Sequence, residues 1–226
     1  MNNIPLVALV LMAAVTPVFG QTQSLSRGPY RIQIALERYS KGDWQPVDSR
    51  LILDQNDTIR FRIRTNFSGY LYVTNLSTSG RYDLLFPSTE AGADNRIQSG
   101  KDYVIPATAG GSFRIAGPPG QEVVYWLISP GAIDNRNGPL QQPPRKPPTL
   151  IPRCDDTVLR ARGDCVDTTA GPKQVQDPNL LPPELARVPN AQSRELVFMQ
   201  QDKASVVSSP VPLNGPAIYE FRLSHK

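Results

Sequence analysis

Three arginines at alternate positions are the residues of this sequence best placed to do chemistry. They are Arg60, Arg62 and Arg64 in the segment TIRFRIRTN, where apolar residues fill the positions between them. Alternate side chains of a β-strand share one face at a spacing of about 7 Å. Guanidinium groups bind carboxylates and phosphates through paired hydrogen bonds. The row predicts a site for an anion or an acidic partner; the alternative is a solvated face whose arginines pair with acids on neighbouring strands.

A second group of charged residues surrounds the loop that follows LLFP: Asp83, Glu90, Asp94 and Asp102. Two carboxylates can hold Ca²⁺ together with backbone carbonyls, or act as acid and base. The DxDxDG spacing of a calcium loop is absent, and short polar side chains in turns often bond to the backbone. We therefore expect Asp94 and Asn95 to make turn hydrogen bonds, and we predict no metal site.

Nucleophilic catalysis needs a base, usually a histidine, beside the nucleophile. The chain has one histidine, His225, which the sequence places in a terminal tail. No local motif supports a serine–lysine pair. The sequence therefore predicts a protein that is not an enzyme and that needs no cofactor.

The N-terminus predicts export. Residues 1–20 contain an apolar run that ends in VFG, the pattern of a signal peptide cleaved after Gly20. The alternative, a membrane anchor, needs about 20 apolar residues, and this run is shorter and contains prolines. We expect a periplasmic or extracellular protein with no transmembrane span in the mature chain.

The two cysteines, Cys154 and Cys165, lie close together in CDDTVLRARGDC. A close pair in an exported chain predicts a disulfide. The alternative, a zinc site, needs three or four Cys or His ligands, and the chain has a single histidine.

Composition and charge point to an all-β chain without a nucleic-acid partner. The sequence contains 23 prolines and 16 glycines among many short Val, Ile and Tyr runs. The net charge is +4, and its acids and bases are interspersed, whereas a nucleic-acid binder usually carries a dense basic cluster.

Alternating segments predict the strands. YRIQIALERY and TIRFRIRTN alternate apolar and polar residues, as strands with one buried face do. GYLYVTNL and GRYDLLF, joined by residues 77–80, form a predicted hairpin in which Leu84 and Phe86 face the core. EVVYWLIS is apolar on both faces, which is typical of a strand covered on both sides. Together they predict an antiparallel β-sandwich with an immunoglobulin-like layout.

Residues 131–194 break this pattern and are rich in proline. Within them QQPPRKPPTLIP is typical of a polyproline II helix, which docks into aromatic grooves; the alternative is a tethered loop. Two strand-like runs follow, RELVFMQQ and AIYEFRLSHK. The sequence thus predicts a signal peptide (1–20), a sandwich domain (21–130), an irregular Pro-rich insertion that bears the disulfide (131–194) and C-terminal strands that complete the sandwich (195–226).

Aromatic side chains are a further candidate for a binding surface, because outward-facing rings bind sugars or peptides. We expect most of them in the core and Trp44 at the surface. The residues considered are Tyr70, Tyr72, Tyr82, Tyr103, Tyr125 and Trp126.

Three motifs in order, GYLYVTNLSTSGRYDLLFP, NRIQSGKDYVIP and FRIAGPPGQEVVYWLIS, cover about residues 57–129. This block resembles the bacterial domain-of-unknown-function family DUF4384. The resemblance implies an exported or membrane-linked bacterial protein and implies no catalytic residue. The family pattern does not include the Pro-rich segment.

The sequence therefore predicts a non-catalytic module for protein–protein interaction or assembly in the bacterial envelope. It would act through its sheet faces or its Pro-rich segment on an envelope protein partner. The alternative is a binding module for a glycan, a small molecule or an anionic ligand, using the Arg60, Arg62 and Arg64 row or exposed aromatic rings.

Overall fold

A computed structural model of the chain describes residues 30–133, 154, 165–175, 181, 185, 188, 196–210 and 215–226. The predicted signal peptide, at 1–20, and the predicted polyproline segment, at 141–152, lie outside these ranges. Within them, no helix has the length and apolar character that crossing a membrane requires.

The described residues form thirteen β-strands in two sheets. Sheet one contains β1 (Tyr30–Ser40), β2 (Asp43–Val47), β3 (Thr58–Thr65), β7 (Asp102–Ile105), β8 (Phe113–Arg114), β11 (Val197–Gln201) and β12 (Ala204–Ser209). Sheet two contains β4 (Gly69–Leu76), β5 (Tyr82–Phe86), β6 (Arg96–Ile97), β9 (Gly120–Ser129), β10 (Gly171–Lys173) and β13 (Ala217–His225).

The two sheets pack face to face. Sheet one has the order β11-β12-β1-β3-β7, with β2 beside β1 and β8 beside β3. Sheet two has the order β10-β13-β9-β4-β5, with β6 beside β4. The pairs are antiparallel, as in β1 with β3 and β9 with β13. The antiparallel sandwich predicted from the sequence is confirmed.

The main core lies between the sheets and is built from the alternating segments. The apolar residues of β3, among them Phe61, are each about 1% exposed. Phe61 contacts Trp126 of sheet two edge to face, with ring centroids 5.2 Å apart, and Phe221 at 5.5 Å. Edge-to-face contacts of this kind add to the stabilisation that burial provides. Strands whose side chains alternate thus give sheet one its buried inner face.

A second apolar cluster lies on the outer face of sheet two. Tyr72, Tyr125 and Leu127 belong to it, and Leu185 of the insertion, 1% exposed, packs among them. Ile133 also contacts this cluster, and its backbone N–H donates to the Tyr72 hydroxyl at 2.9 Å. β4 and β9 are therefore covered on both faces, which explains why EVVYWLIS is apolar on both sides.

Strands from the C-terminal segment enter both sheets. β12 pairs with β1, and β13 lies between β9 and β10. β11 and β13 correspond to the predicted runs RELVFMQQ and AIYEFRLSHK. β12 was missed, because ASVVSS has two adjacent valines among serines and lacks the period-2 alternation that indicates a strand.

The β4–β5 hairpin is confirmed, with Gly80 at a φ of 83° in its turn. The prediction for its inner face was partly wrong. The register between the two strands shifts at Val73 and Thr74, and such a bulge changes which residues share a face. As a result Leu85 and Phe86, instead of Leu84 and Phe86, pack against the main core.

Candidate functional site

The three arginines of the predicted row lie on the outer face of sheet one. The alternate residues of β3 point into the core, which leaves Arg60, Arg62 and Arg64 outward. β1 flanks the row on one side and β7 on the other. The residues opposite the row on these strands therefore decide what the arginines bind within the chain.

Two of the arginines hold one carboxylate. Arg60 Nε donates to Glu37 Oε2 at 2.6 Å, and Arg62 Nε donates to Glu37 Oε1 at 2.8 Å. Glu37 lies on β1 directly opposite Arg60 and is only 5% exposed. Each oxygen of the carboxylate thus has its own guanidinium partner, a charge-assisted arrangement that fixes both arginines in place.

The electrostatics of Glu37 follow from this geometry. Burial raises the pKa of its carboxyl, but the hydrogen bonds from Arg62 and Arg60 outweigh burial, so the pKa lies below its ordinary value. The hydrogen bond that Arg62 donates to Glu37 in turn raises the pKa of Arg62. Glu37 is therefore an ionised structural partner of the arginines at neutral pH.

Arg64 is held less tightly. Its Nε lies 4.0 Å from Asp102 Oδ1, and the two side chains are 47% and 53% exposed. Arg62 is also open to solvent, with a side-chain exposure of 44%, whereas that of Arg60 is 18%. The structure therefore splits the row into two fixed arginines and one solvated arginine, and Arg62 and Arg64 present the accessible charge.

Two aromatic residues extend this surface. Tyr39 and Trp44 face each other across β1 and β2, with ring centroids 5.3 Å apart. The guanidinium carbon of Arg60 lies 4.2 Å from the centroid of a Trp44 ring, in the range of a cation–π contact. Tyr39 is 48% exposed.

We call the surface formed by Tyr39, Trp44, Arg60, Arg62 and Arg64 the arginine–tryptophan face. Trp44 is half-buried and borders the surface. Sequence reasoning did not single out Tyr39 or Glu37 as part of this surface. Both occupy the polar positions of the alternating β1 segment, which is the signal that they face outward with the row.

The acidic loop does not gather into a site. Arg96 N–H donates to Asp94 Oδ1 at 3.0 Å, which confirms the turn bond predicted for Asp94. Asn95 instead donates from Nδ2 to the Leu71 carbonyl at 3.1 Å, and so joins the loop to β4. Asp83 binds Arg81 at 2.7 Å. In the described ranges no three His, Cys, Asp or Glu side chains are grouped as metal ligands.

A buried carboxylate that the sequence did not reveal is Asp167, on the segment before β10. It accepts hydrogen bonds from Ser224 at 2.6 Å, from Gln121 at 2.8 Å and from the Thr169 hydroxyl at 2.6 Å. Burial raises the pKa of the Asp167 carboxyl, and these hydrogen bonds together lower it below its ordinary value. Asp167 joins the end of the insertion to β9 and β13.

The predicted disulfide is present. Cys154 and Cys165 are joined, with their Cα atoms 5.2 Å apart. Ile52 N–H donates to the Cys165 carbonyl at 2.9 Å. The disulfide is thus attached to the sandwich directly next to the Asp167 network.

His225 does not lie in a loose tail, as the sequence suggested. It is the last residue of β13, is 1% exposed, and its Nε2 lies 3.5 Å from Glu122 Oε1. The Thr78 hydroxyl lies 3.3 Å from the same carboxylate oxygen. The carboxylate, and not the imidazole, therefore contacts the hydroxyl, whereas a Ser-His-Asp triad needs the imidazole in the middle.

The fold is an antiparallel β-sandwich in which the outer face of sheet one is polar and the outer face of sheet two is covered by the insertion. Residues 52–131 match the model of the family described as Domain of unknown function (DUF4384). This match confirms the resemblance seen in the sequence between about residues 57 and 129, and it spans β3 to β9. No curated protein matches the chain, and no solved structure does.

Proposed function

We propose that this protein is an exported, non-catalytic module of the bacterial envelope that binds a protein partner through the arginine–tryptophan face. One observation carries the proposal. Residues of the chain's own insertion cover the outer face of sheet two, whereas the outer face of sheet one presents Tyr39 at 48% exposure, Arg62 at 44% and Arg64 at 47%.

The residue types on this face suit protein recognition. Tyr, Trp and Arg dominate the binding energy of many interfaces because they combine apolar area with directional hydrogen bonding. Glu37 holds Arg60 and Arg62 in place before any partner arrives. Side chains fixed in this way lose less conformational entropy on binding than free ones.

Charge indicates what kind of partner fits. The outward positions of β1, β3 and β7 carry more arginines than carboxylates. A face with this balance attracts an acidic protein segment, and paired guanidinium–carboxylate bonds set its orientation. The charged residues are Arg31, Arg60, Arg62, Arg64, Glu37 and Asp102.

Two further observations support the other parts of the proposal. A disulfide between Cys154 and Cys165 suits an oxidising compartment, in agreement with the predicted signal peptide. The non-catalytic part of the proposal is supported by Glu37 and Asp167, the two described carboxylates with lowered pKa values. Hydrogen-bond donors of the chain itself occupy both of them.

Photo-crosslinking tests the proposal. A photoreactive amino acid replaces Tyr39 in the full chain, and crosslinked products are isolated from the envelope of the producing cells. We expect a product that disappears when Arg62→Glu and Arg64→Glu are combined, and that weakens as salt rises. The matched control is Arg81→Glu, an arginine in the turn between β4 and β5 with 76% side-chain exposure, which should leave the product unchanged. A product insensitive to the double charge reversal, or no product at all, would reject the proposal.

A further inference from the structure

A cavity of about 230 Å³ lies between the two sheets, away from the arginine–tryptophan face. One wall comes from β3 and β8 of sheet one, and the other from β4, β5 and β9 of sheet two. Pockets for drug-sized ligands usually start at about 300 Å³. The cavity therefore has room only for a ligand smaller than a typical drug molecule.

The wall from sheet one is apolar except for Arg114 of β8. Phe61 and Phe113, with ring centroids 6.4 Å apart, form it together with Ile59. Phe61 and Ile59 are each 1% exposed, so the cavity reaches the main core. A ligand that fills this space needs an apolar side chain to take the place of water against these residues.

The wall from sheet two offers hydrogen-bond acceptors. Asn75 Nδ2 donates to Glu122 Oε2 at 2.7 Å, and Thr78 N–H donates to Glu122 Oε1 at 3.2 Å. Because the Glu122 oxygens accept these bonds, the amide of Asn75 turns its nitrogen to Glu122 and its oxygen away. Asn75 Oδ1 is buried and has no hydrogen-bond partner among the described residues. An unpaired buried acceptor costs free energy, which a donor on a ligand would recover.

Two arginines line the cavity, and they differ. Arg81 is paired with Asp83, with Nε to Oδ2 at 2.7 Å. Arg114 is exposed, and its guanidinium makes no ion pair or hydrogen bond within the part of the chain that the structure describes. Arg114 is thus available for a carboxylate, while Arg81 is occupied.

We propose that this cavity binds a free α-amino acid with an apolar side chain. Its side chain lies against Phe61 and Phe113, and its ammonium group donates to Asn75 Oδ1 in the field of the Glu122 carboxylate. Arg114 binds its carboxylate. This site uses none of the residues of the arginine–tryptophan face, so it stands whether or not that face binds a protein.

Calorimetric titration of the full chain tests the ligand class. The probes are L-phenylalanine and L-leucine, with 3-phenylpropionate lacking the amine and 2-phenylethylamine lacking the carboxylate. We expect the amino acids to bind at least about tenfold more tightly than either partial analogue. Each analogue lacks one of the two charged groups and therefore one charge-assisted hydrogen bond. Equal binding of all four probes would overturn the proposal. The absence of binding at probe concentrations up to about 10 mM would also overturn it, because any weaker affinity is negligible.

Matched variants test the residues. Arg114→Gln should weaken L-phenylalanine binding about tenfold or more, whereas Arg81→Gln should change it by less than about threefold, because Arg81 is already paired. Asn75→Ala should weaken binding as well, provided that its melting curve shows a folded protein. Arg114 is exposed and its replacement leaves the fold intact, so unchanged binding in Arg114→Gln refutes the site by itself.

Discussion

The outer faces of the two sheets have opposite characters. On sheet one the outward residues Gln33, Arg62 and Arg64 are exposed. On sheet two the outward residues Tyr125 and Leu127 are each 3% exposed, because the insertion lies over them. One sheet therefore has a single buried face, and the other has two.

The difference shows how strand sequence decides what a sheet can bind. A strand that alternates leaves its polar face in water, where it is open to partners, whereas a strand that is apolar on both faces must bury both. In this chain the insertion supplies the second cover. It is tied down before β10 by Asp167 and near β9 by Ile133.

The largest effect on stability is expected from weakening the contact of the insertion with the outer face of sheet two. Leu185→Ala removes a side chain that is 1% exposed in the cluster on sheet two. We expect it to lower the free energy of unfolding by about 2–4 kcal/mol, the usual cost of such a truncation in a core. Chemical denaturation measures the change. The control Leu181→Ala, at a partly buried leucine of the same cluster, should cost clearly less; an equal cost would show that the cover packs differently.

A smaller effect is expected on the open face. Glu37→Gln removes the charge that holds Arg60 and Arg62, and we expect a loss of about 1–3 kcal/mol because hydrogen bonds to charged groups are the strong ones. The control is Asp102→Asn, whose partner Arg64 lies 4.0 Å away in solvent. It should cost about 0–1 kcal/mol, as surface pairs do. Similar losses in both variants would mean that the Glu37 pairing contributes no more to the free energy of unfolding than an exposed surface pair does.

The smallest effect is expected in acid, where two buried carboxylates of the described residues have lowered pKa values: Glu37 on β1 and Asp167 on the segment before β10. Such a group contributes stability that is complete above its pKa in the unfolded chain and is lost as pH falls through its lower pKa in the folded chain. We therefore expect stability to be flat near neutral pH and to fall below about pH 4.5. Melting temperatures measured across this range should fall less steeply in Glu37→Gln and in Asp167→Asn than in the unchanged protein. A slope that neither variant reduces would assign the acid sensitivity to other groups.

Local patterns carried most of the strand prediction. β1, β3, the β4–β5 hairpin and β9 are visible in the sequence because alternation, or its absence, reports burial directly. The outward direction of the arginine row follows from the same rule. These features need only neighbouring residues, so a single sequence reveals them.

Features that depend on distant pairing were not predictable. The position of Glu37 between Arg60 and Arg62 needs the register of β1 against β3, and β12 forms a strand because β1 offers it an edge. Leu185 reaches sheet two from a segment without periodicity. The β-bulge in the β4–β5 pairing at Val73 and Thr74 likewise changed which residue of β5 faces inward. In each case the missing information was which parts of the chain meet, and local residue patterns do not contain it.

The strand order also has a consequence for biosynthesis. β1 pairs with β12 and β9 pairs with β13, so sheet one is complete only after residue 209 has been translated, and sheet two only after residue 225. Before its partner strand is made, each of these two strands has an open edge that another nascent chain can pair with. A message truncated before β12 would therefore yield an aggregation-prone fragment instead of a smaller stable domain.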